Sequence, residues 1–169
     1  MCVGVGVGAT SRGWPGAGWG LLAIVFAAVI PYIITWRMRH PQDGKKPSRR
    51  TRLRYLLVTT CCACAGLLIV AQLGAPKGVV AIAIMIVVGL LVGAVINARW
   101  RMSNHVAGAS AAVTALSVIY SPVWLLGLTI VALMAWARIR LGMHTLPEVI
   151  LGVIVGGAVG ALIPTLLLT

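Results

Sequence analysis

Acidic residues are almost absent from this chain: across 169 residues the only carboxylate side chains are Asp43 and Glu148, against 14 lysines and arginines. Charged residues of either sign make up 9% of the sequence and hydrophobic ones 60%. That balance excludes an ordinary water-soluble domain, because the apolar surface exceeds what a soluble core of this size can hide. No basic region precedes an apolar run at the N-terminus, so MCVGVGVGATSRGWPGAGWG makes a poor secretory signal and the first apolar segment is expected to be retained. The GVGVG run is not placed between a strand and a helix, which argues against a phosphate loop; residues 1–19 are expected to form a mobile segment. Cysteine is scarce: Cys2 stands alone, and Cys61, Cys62 and Cys64 share one apolar stretch. Thiols that close together on one helix do not supply a four-ligand metal site, and small apolar packing is their ordinary use. Neither metal nor cofactor is expected.

What the chain does have is length in its apolar runs. A bilayer core needs about 20 apolar residues per helix, and six segments approach that, at about residues 20–36, 54–73, 78–98, 104–120, 122–136 and 146–168. The fourth and fifth are short and are divided at Tyr120-Ser121-Pro122, where proline disfavours helix at the residue before it. The expected fold is an all-α integral membrane protein, with six transmembrane helices in one bundle over residues 20–169. In the last segment Gly152, Gly156 and Gly160 recur every four residues and line one helical face. Such a stripe suits close helix packing, either within the fold or between subunits of a homo-oligomer.

The loop at 37–54 holds Arg37, Arg39, Lys45, Lys46, Arg49, Arg50, Arg52 and Arg54, eight of the 14 basic residues. The positive-inside rule places it in the cytoplasm of a cell membrane protein, and anchoring to anionic lipid accounts for it fully. It lacks interleaved aromatics, which argues against nucleic acid as a partner. His40, in the same loop, reads as a solvated side chain. Alternating crossings then bring two further connections to the same face, Arg99 to His105 and Arg138 to Glu148. Trp36, Trp100 and Trp136 end the first, third and fifth segments at that face, as an interfacial aromatic belt requires.

Two arginines, two histidines and a carboxylate at a membrane surface suit a phosphate group. Guanidinium forks match phosphate oxygens, and helix N-termini add N–H donors. Ser103 stands where it would cap a helix starting near Asn104. One histidine can attack phosphorus while the other protonates the leaving oxygen, and a carboxylate can fix the nucleophile's tautomer. The same residues also fit structural uses, and capping by Glu148 does not exclude its orienting an imidazole. Thr145-Leu146-Pro147-Glu148 fits a helix capping box, and Arg99 and Arg140 fit anchors at the lipid headgroups.

The string ARIRLGMHTLPEVILG carries Arg138, five residues, His144, three residues and Glu148. It resembles the third motif of the type-2 phosphatidic acid phosphatase superfamily, Ser-Arg-x5-His-x3-Asp. Met102-Ser103-Asn104-His105 is similar to the second motif, Pro-Ser-Gly-His. The first motif, Lys-x6-Arg-Pro, is unmatched; Trp-Arg-Met-Ser-Asn-His looks like a compact bacterial variant, which favours Arg101 over Arg99 as its basic residue. The chain departs from the family at Ala137 for serine, Asn104 for glycine and Glu148 for aspartate.

The resemblance implies a six-helix membrane phosphatase acting without metal on a lipid phosphate or prenyl diphosphate. It would make His144 the nucleophile that forms a phosphohistidine, Glu148 its orienting carboxylate and His105 the general acid. Arg138, Arg101, Ser103 and Arg99 would bind phosphate, at a site on the cytoplasmic face. A non-hydrolytic lipid-binding or translocating protein on the same fold, a lipid phosphotransferase and a structural protein with an Arg–Glu148 plug are the alternatives.

Overall fold

The computed structural model describes residues 18–19, 21–22, 25–39 and 48–168. The N-terminal Gly-Val run, Cys2, His40, Asp43, Lys45 and Lys46 lie outside the described residues, as does most of the segment expected to be mobile. Every described element is helical. A π-helical turn, Val25–Val29, leads into α1 (Ile30–Arg39), followed by α2 (Arg49–Gln72), α3 (Lys77–Arg99) and α4 (Asn104–Ile119). A 3-10 turn, Pro122–Gly127, opens α5 (Leu128–Arg140), and α6 (Leu146–Leu168) ends the chain.

Four helical stretches are long and apolar enough to cross a membrane, Arg50–Gln72, Lys77–Arg99, Pro122–Arg140 and Leu146–Leu168, while Val25–Trp36 and Asn104–Ile119 are shorter apolar helices. Large aliphatic side chains on these helices face outward, among them Ile33, Leu57, Leu68, Val95, Ile130, Leu133, Ile154 and Leu162. A surface so continuously apolar is compatible with a multi-pass membrane protein.

Three boundaries differ from the sequence expectation. The first helix runs on to Arg39, three residues past Trp36, so Arg37 and Arg39 are helical and not part of the loop. The second helix begins at Arg49 rather than near residue 54, so Arg49, Arg50, Arg52 and Arg54 are helical and not part of the loop. Ser48 caps it, its hydroxyl accepting from the Thr51 N–H at 3.2 Å, and arginine is a good helix former once a cap is present. The fifth helix runs on to Arg140, four residues past Trp136. The turn at Tyr120 to Pro122 stands where the proline predicts it. The Ser121 hydroxyl accepts from the Val123 N–H, and Pro122 occupies a first-turn position that needs no donor.

The chain forms two compact units, Met1–Ala98 and Arg99–Thr169. In the first, the π-helical turn and α1 pack on α2, where Gly66 admits the Phe26 side chain. A tight turn separates α2 from α3: the Ala75 N–H reaches the Val70 carbonyl at 3.0 Å, the Gly74 N–H reaches that of Ala71 at 3.2 Å, and Gly74 has φ 75°. This is a Schellman stop, which needs the left-handed conformation that glycine adopts without penalty.

The second unit is a three-helix layer in which α4 and α6 lie parallel. A Cβ on Gly152 would come 2.8 Å from the Ser103 carbonyl oxygen; one on Gly156 would overlap the Ala107 backbone, and one on Gly160 the Ala111 backbone and the Thr114 side chain. Contacts that advance together along both helices require the same direction, and the Ser110 hydroxyl donates to the Val153 carbonyl at 2.9 Å in the same register. The glycine stripe is therefore filled by α4 of the same chain. Of the two uses the sequence allows, the structure shows the one within the fold. Val106, Val131 and Val149, one from each helix, form the core that joins α5 to the pair.

Candidate functional site

Parallel packing of α4 and α6 brings both N-termini to one end of the unit. The end of α5, with Arg138 and Arg140, arrives there too. Helix N-termini carry partial positive charge and out-facing N–H groups, so this end favours an anion before any side chain is considered.

The connection from α5 to α6 is short and fully specified. The Met143 N–H bonds the Arg138 carbonyl at 3.1 Å, the Gly142 N–H bonds that of Ile139 at 2.9 Å, and Gly142 has φ 62°. This second Schellman stop ends α5, and α6 begins after a connection of five residues, 141–145. The His144 N–H also reaches the Arg138 carbonyl, at 3.3 Å, so the backbone of one functional residue fixes the start of another. The Arg138 guanidinium donates to the Met143 sulfur at 3.5 Å. Neither Gly142 nor Met143 is among the sequence candidates; a glycine just after a helix whose last turn is basic is the local signal for the turn.

His144 and Glu148 are four residues apart on the entry to α6, and their side chains meet: Nδ1 of His144 lies 2.9 Å from Oε2 of Glu148. The same Oε2 accepts the Thr145 N–H at 3.2 Å. The capping and the imidazole-orienting uses of Glu148, which the sequence allows side by side, are made together by one oxygen. The other oxygen faces Arg101, whose Nε is 3.6 Å from Oε1. His144 and Glu148 are 17% and 16% exposed and Arg101 is 41% exposed, so a half-open cation closes a mostly shielded pair.

Ser103 precedes α4 as its N-cap residue, but its hydroxyl makes no capping bond. The side chain is 0% exposed, and its oxygen has no hydrogen-bond partner among the described residues. Its backbone N–H, by contrast, bonds the Glu148 carbonyl at 3.1 Å and ties the two N-termini together. A buried hydroxyl without a partner costs about 1–3 kcal/mol, which makes it a candidate ligand contact.

His105 is exposed in the first turn of α4. Arg99 is the exposed last residue of α3, and no ion pair joins it to Glu148 among the described residues. Arg140 lies over the Trp136 ring at 5.7 Å, a cation–π contact suited to an interfacial anchor. Among the described residues no group of three or more His, Cys, Asp or Glu side chains is placed to hold a metal ion. Set against protein-family models, curated proteins and solved structures, the chain matches none of them.

Proposed function

We propose that the protein is a six-crossing membrane phosphatase acting on a lipid phosphate or prenyl diphosphate through a phosphohistidine, without metal. The observation that carries the reading is the contact of His144 Nδ1 with Glu148 Oε2. A carboxylate needs a proton from Nδ1, so the neutral ring holds its proton there and its lone pair on Nε2. Nε2 attacks phosphorus, forming a P–N bond as the P–O bond to the leaving group breaks. His105 gives that oxygen its proton. Water then attacks the phosphohistidine, its proton returns to His105, and inorganic phosphate leaves with Nε2 restored. Arg138, Arg101 and the Ser103 hydroxyl offset charge on the phosphate oxygens, and Arg99 adds a peripheral positive charge.

We read six crossings with the basic residues at the end of α1 and the start of α2 on the cytoplasmic side, and on that reading the site faces the cytoplasm at the cell membrane. Substrates made inside the cell suit that placement: prenyl phosphates and diphosphates, a polyprenyl-linked sugar phosphate, phosphatidic acid or phosphatidylglycerol phosphate. The test is phosphate release by the detergent-purified protein in EDTA across these lipids. Release from at least one is expected; none from a folded sample would sink the reading. The Arg101–Glu148 ion pair equally suits a binding protein or a structural plug, and turnover separates these from an enzyme. Transfer to an added alcohol in place of phosphate release would mark a phosphotransferase.

Ser103→Ala supplies a test with opposite signs in two readouts. Losing an unpartnered buried hydroxyl is expected to leave the melting temperature unchanged or raised, while the KM for the lipid phosphate rises about threefold to tenfold, the worth of one hydrogen bond. A lower melting temperature with unchanged KM would make Ser103 structural.

A further inference from the structure

Glu148 divides its two oxygens between two tasks. Oε2 takes the His144 ring and the Thr145 N–H, while Oε1 faces Arg101, the one guanidinium within ion-pair distance of it among the described residues. Glutamate has three rotatable side-chain bonds, and holding it in one rotamer carries a substantial entropy cost. A carboxylate held at a single oxygen could still swing about that contact. Held at both, it presents Oε2 to the imidazole in one orientation.

The segment bearing Arg101 is itself fixed against α6. Met102 is 3% exposed, and the Ser103 N–H bonds the carbonyl of Glu148. The cation that faces the Glu148 side chain is thus tethered, two residues on, to the Glu148 backbone. Arg138 stands apart from this arrangement, since its guanidinium donates to the Met143 sulfur and forms no ion pair with Glu148 among the described residues.

We infer that Arg101 is a positioning residue for His144, acting through Glu148, as well as a phosphate ligand. A guanidinium that meets a carboxylate through Nε still has two terminal amino groups able to bind a second anion. One side chain therefore couples arrival of the phosphate to the orientation of its nucleophile. Lysine, a point charge, can serve either anion but cannot bridge both with the same geometry. The inference rests on the phosphatase reading of this site.

The test uses the full chain in detergent micelles, with Arg101→Gln, Arg101→Lys and Glu148→Gln beside the wild type. The tautomer of the neutral His144 ring is read from nitrogen-15 histidine spectra, with its signals assigned by difference from His144→Ala. The wild type is expected to hold the Nδ1–H form. Arg101→Gln loses that preference and lowers kcat about tenfold or more, as loss of a partner behind a functional ligand commonly does; Glu148→Gln loses the same preference. Arg101→Lys, which keeps the ion pair, restores the tautomer and recovers part of kcat. Arg101→Gln raising KM alone, with the tautomer unchanged, would overturn the inference and leave Arg101 a phosphate ligand only. The spectra need no turnover. A wild type that hydrolyses no lipid, but whose tautomer still answers to Arg101→Gln, would sink the phosphatase reading while supporting the positioning role.

Discussion

His144→Ala is expected to lower lipid phosphate release by about a thousandfold or more, the scale on which loss of a nucleophile acts when the surrounding charge stabilisation stays in place. The fold should survive the change. His144 lies in the turn before α6, and its backbone N–H, which bonds the Arg138 carbonyl at 3.3 Å, is untouched by truncating the ring. Substrate affinity should therefore change little while kcat collapses. His105→Ala differs in a way that separates the two histidines. A general acid contributes about 10²–10⁴-fold, and it matters least when the leaving oxygen is already a weak base. A prenyl diphosphate, which expels a phosphate, should tolerate loss of His105 better than a prenyl monophosphate, which expels an alkoxide. Loss of His144 should impair both substrates equally. A His144→Ala protein that still released phosphate at near wild-type rate would remove the phosphohistidine from the mechanism.

Gly156→Ala is expected to produce the largest structural effect of any single methyl group in the second unit. The added Cβ would overlap the backbone of Ala107, and backbone cannot move aside as a side-chain tip can. Either α4 and α6 separate or the register slips, at a cost of about 3 kcal/mol, the upper end of the usual overpacking range. Thermal unfolding in detergent, followed by circular dichroism, reads this directly. The control is the next residue, Gly157→Ala, whose Cβ would meet only the Ser110 Oγ at 3.4 Å and the Thr114 Cγ2 at 3.9 Å. It should melt close to wild type. Equal melting of the two variants would mean that α4 and α6 are not packed as described. The Gly156 variant should also lose activity, because the same α4–α6 packing holds Ser103 against Glu148, where the Ser103 N–H bonds the Glu148 carbonyl.

Parts of the site were legible because their causes are local. His144 and Glu148 stand one helical turn apart at a recognisable helix start, so their meeting follows from helix periodicity. The break at Ser121-Pro122 was legible for the same reason, since proline constrains its own neighbours. The second helix began earlier than its hydropathy suggested, because a Ser48 cap and helix-forming arginines outweigh the polarity of the first turns. Gly142 was readable in principle, as a glycine just past a helix end, but apolar periodicity carries no trace of the left-handed turn it makes.

The amino-acid sequence by itself determined that this protein is helical and apolar on its outward faces. It also determined which few residues carry charge and polar chemistry, for these follow from composition and from spacing within a helical turn. The tertiary structure alone decided which of those residues meet. Arg101 reaches Glu148, Ser103 is buried with its hydroxyl unpartnered among the described residues, and Gly152, Gly156 and Gly160 close on α4. Each of these depends on α4 and α6 lying parallel at close approach, a result of packing between segments distant in sequence, which no local pattern records.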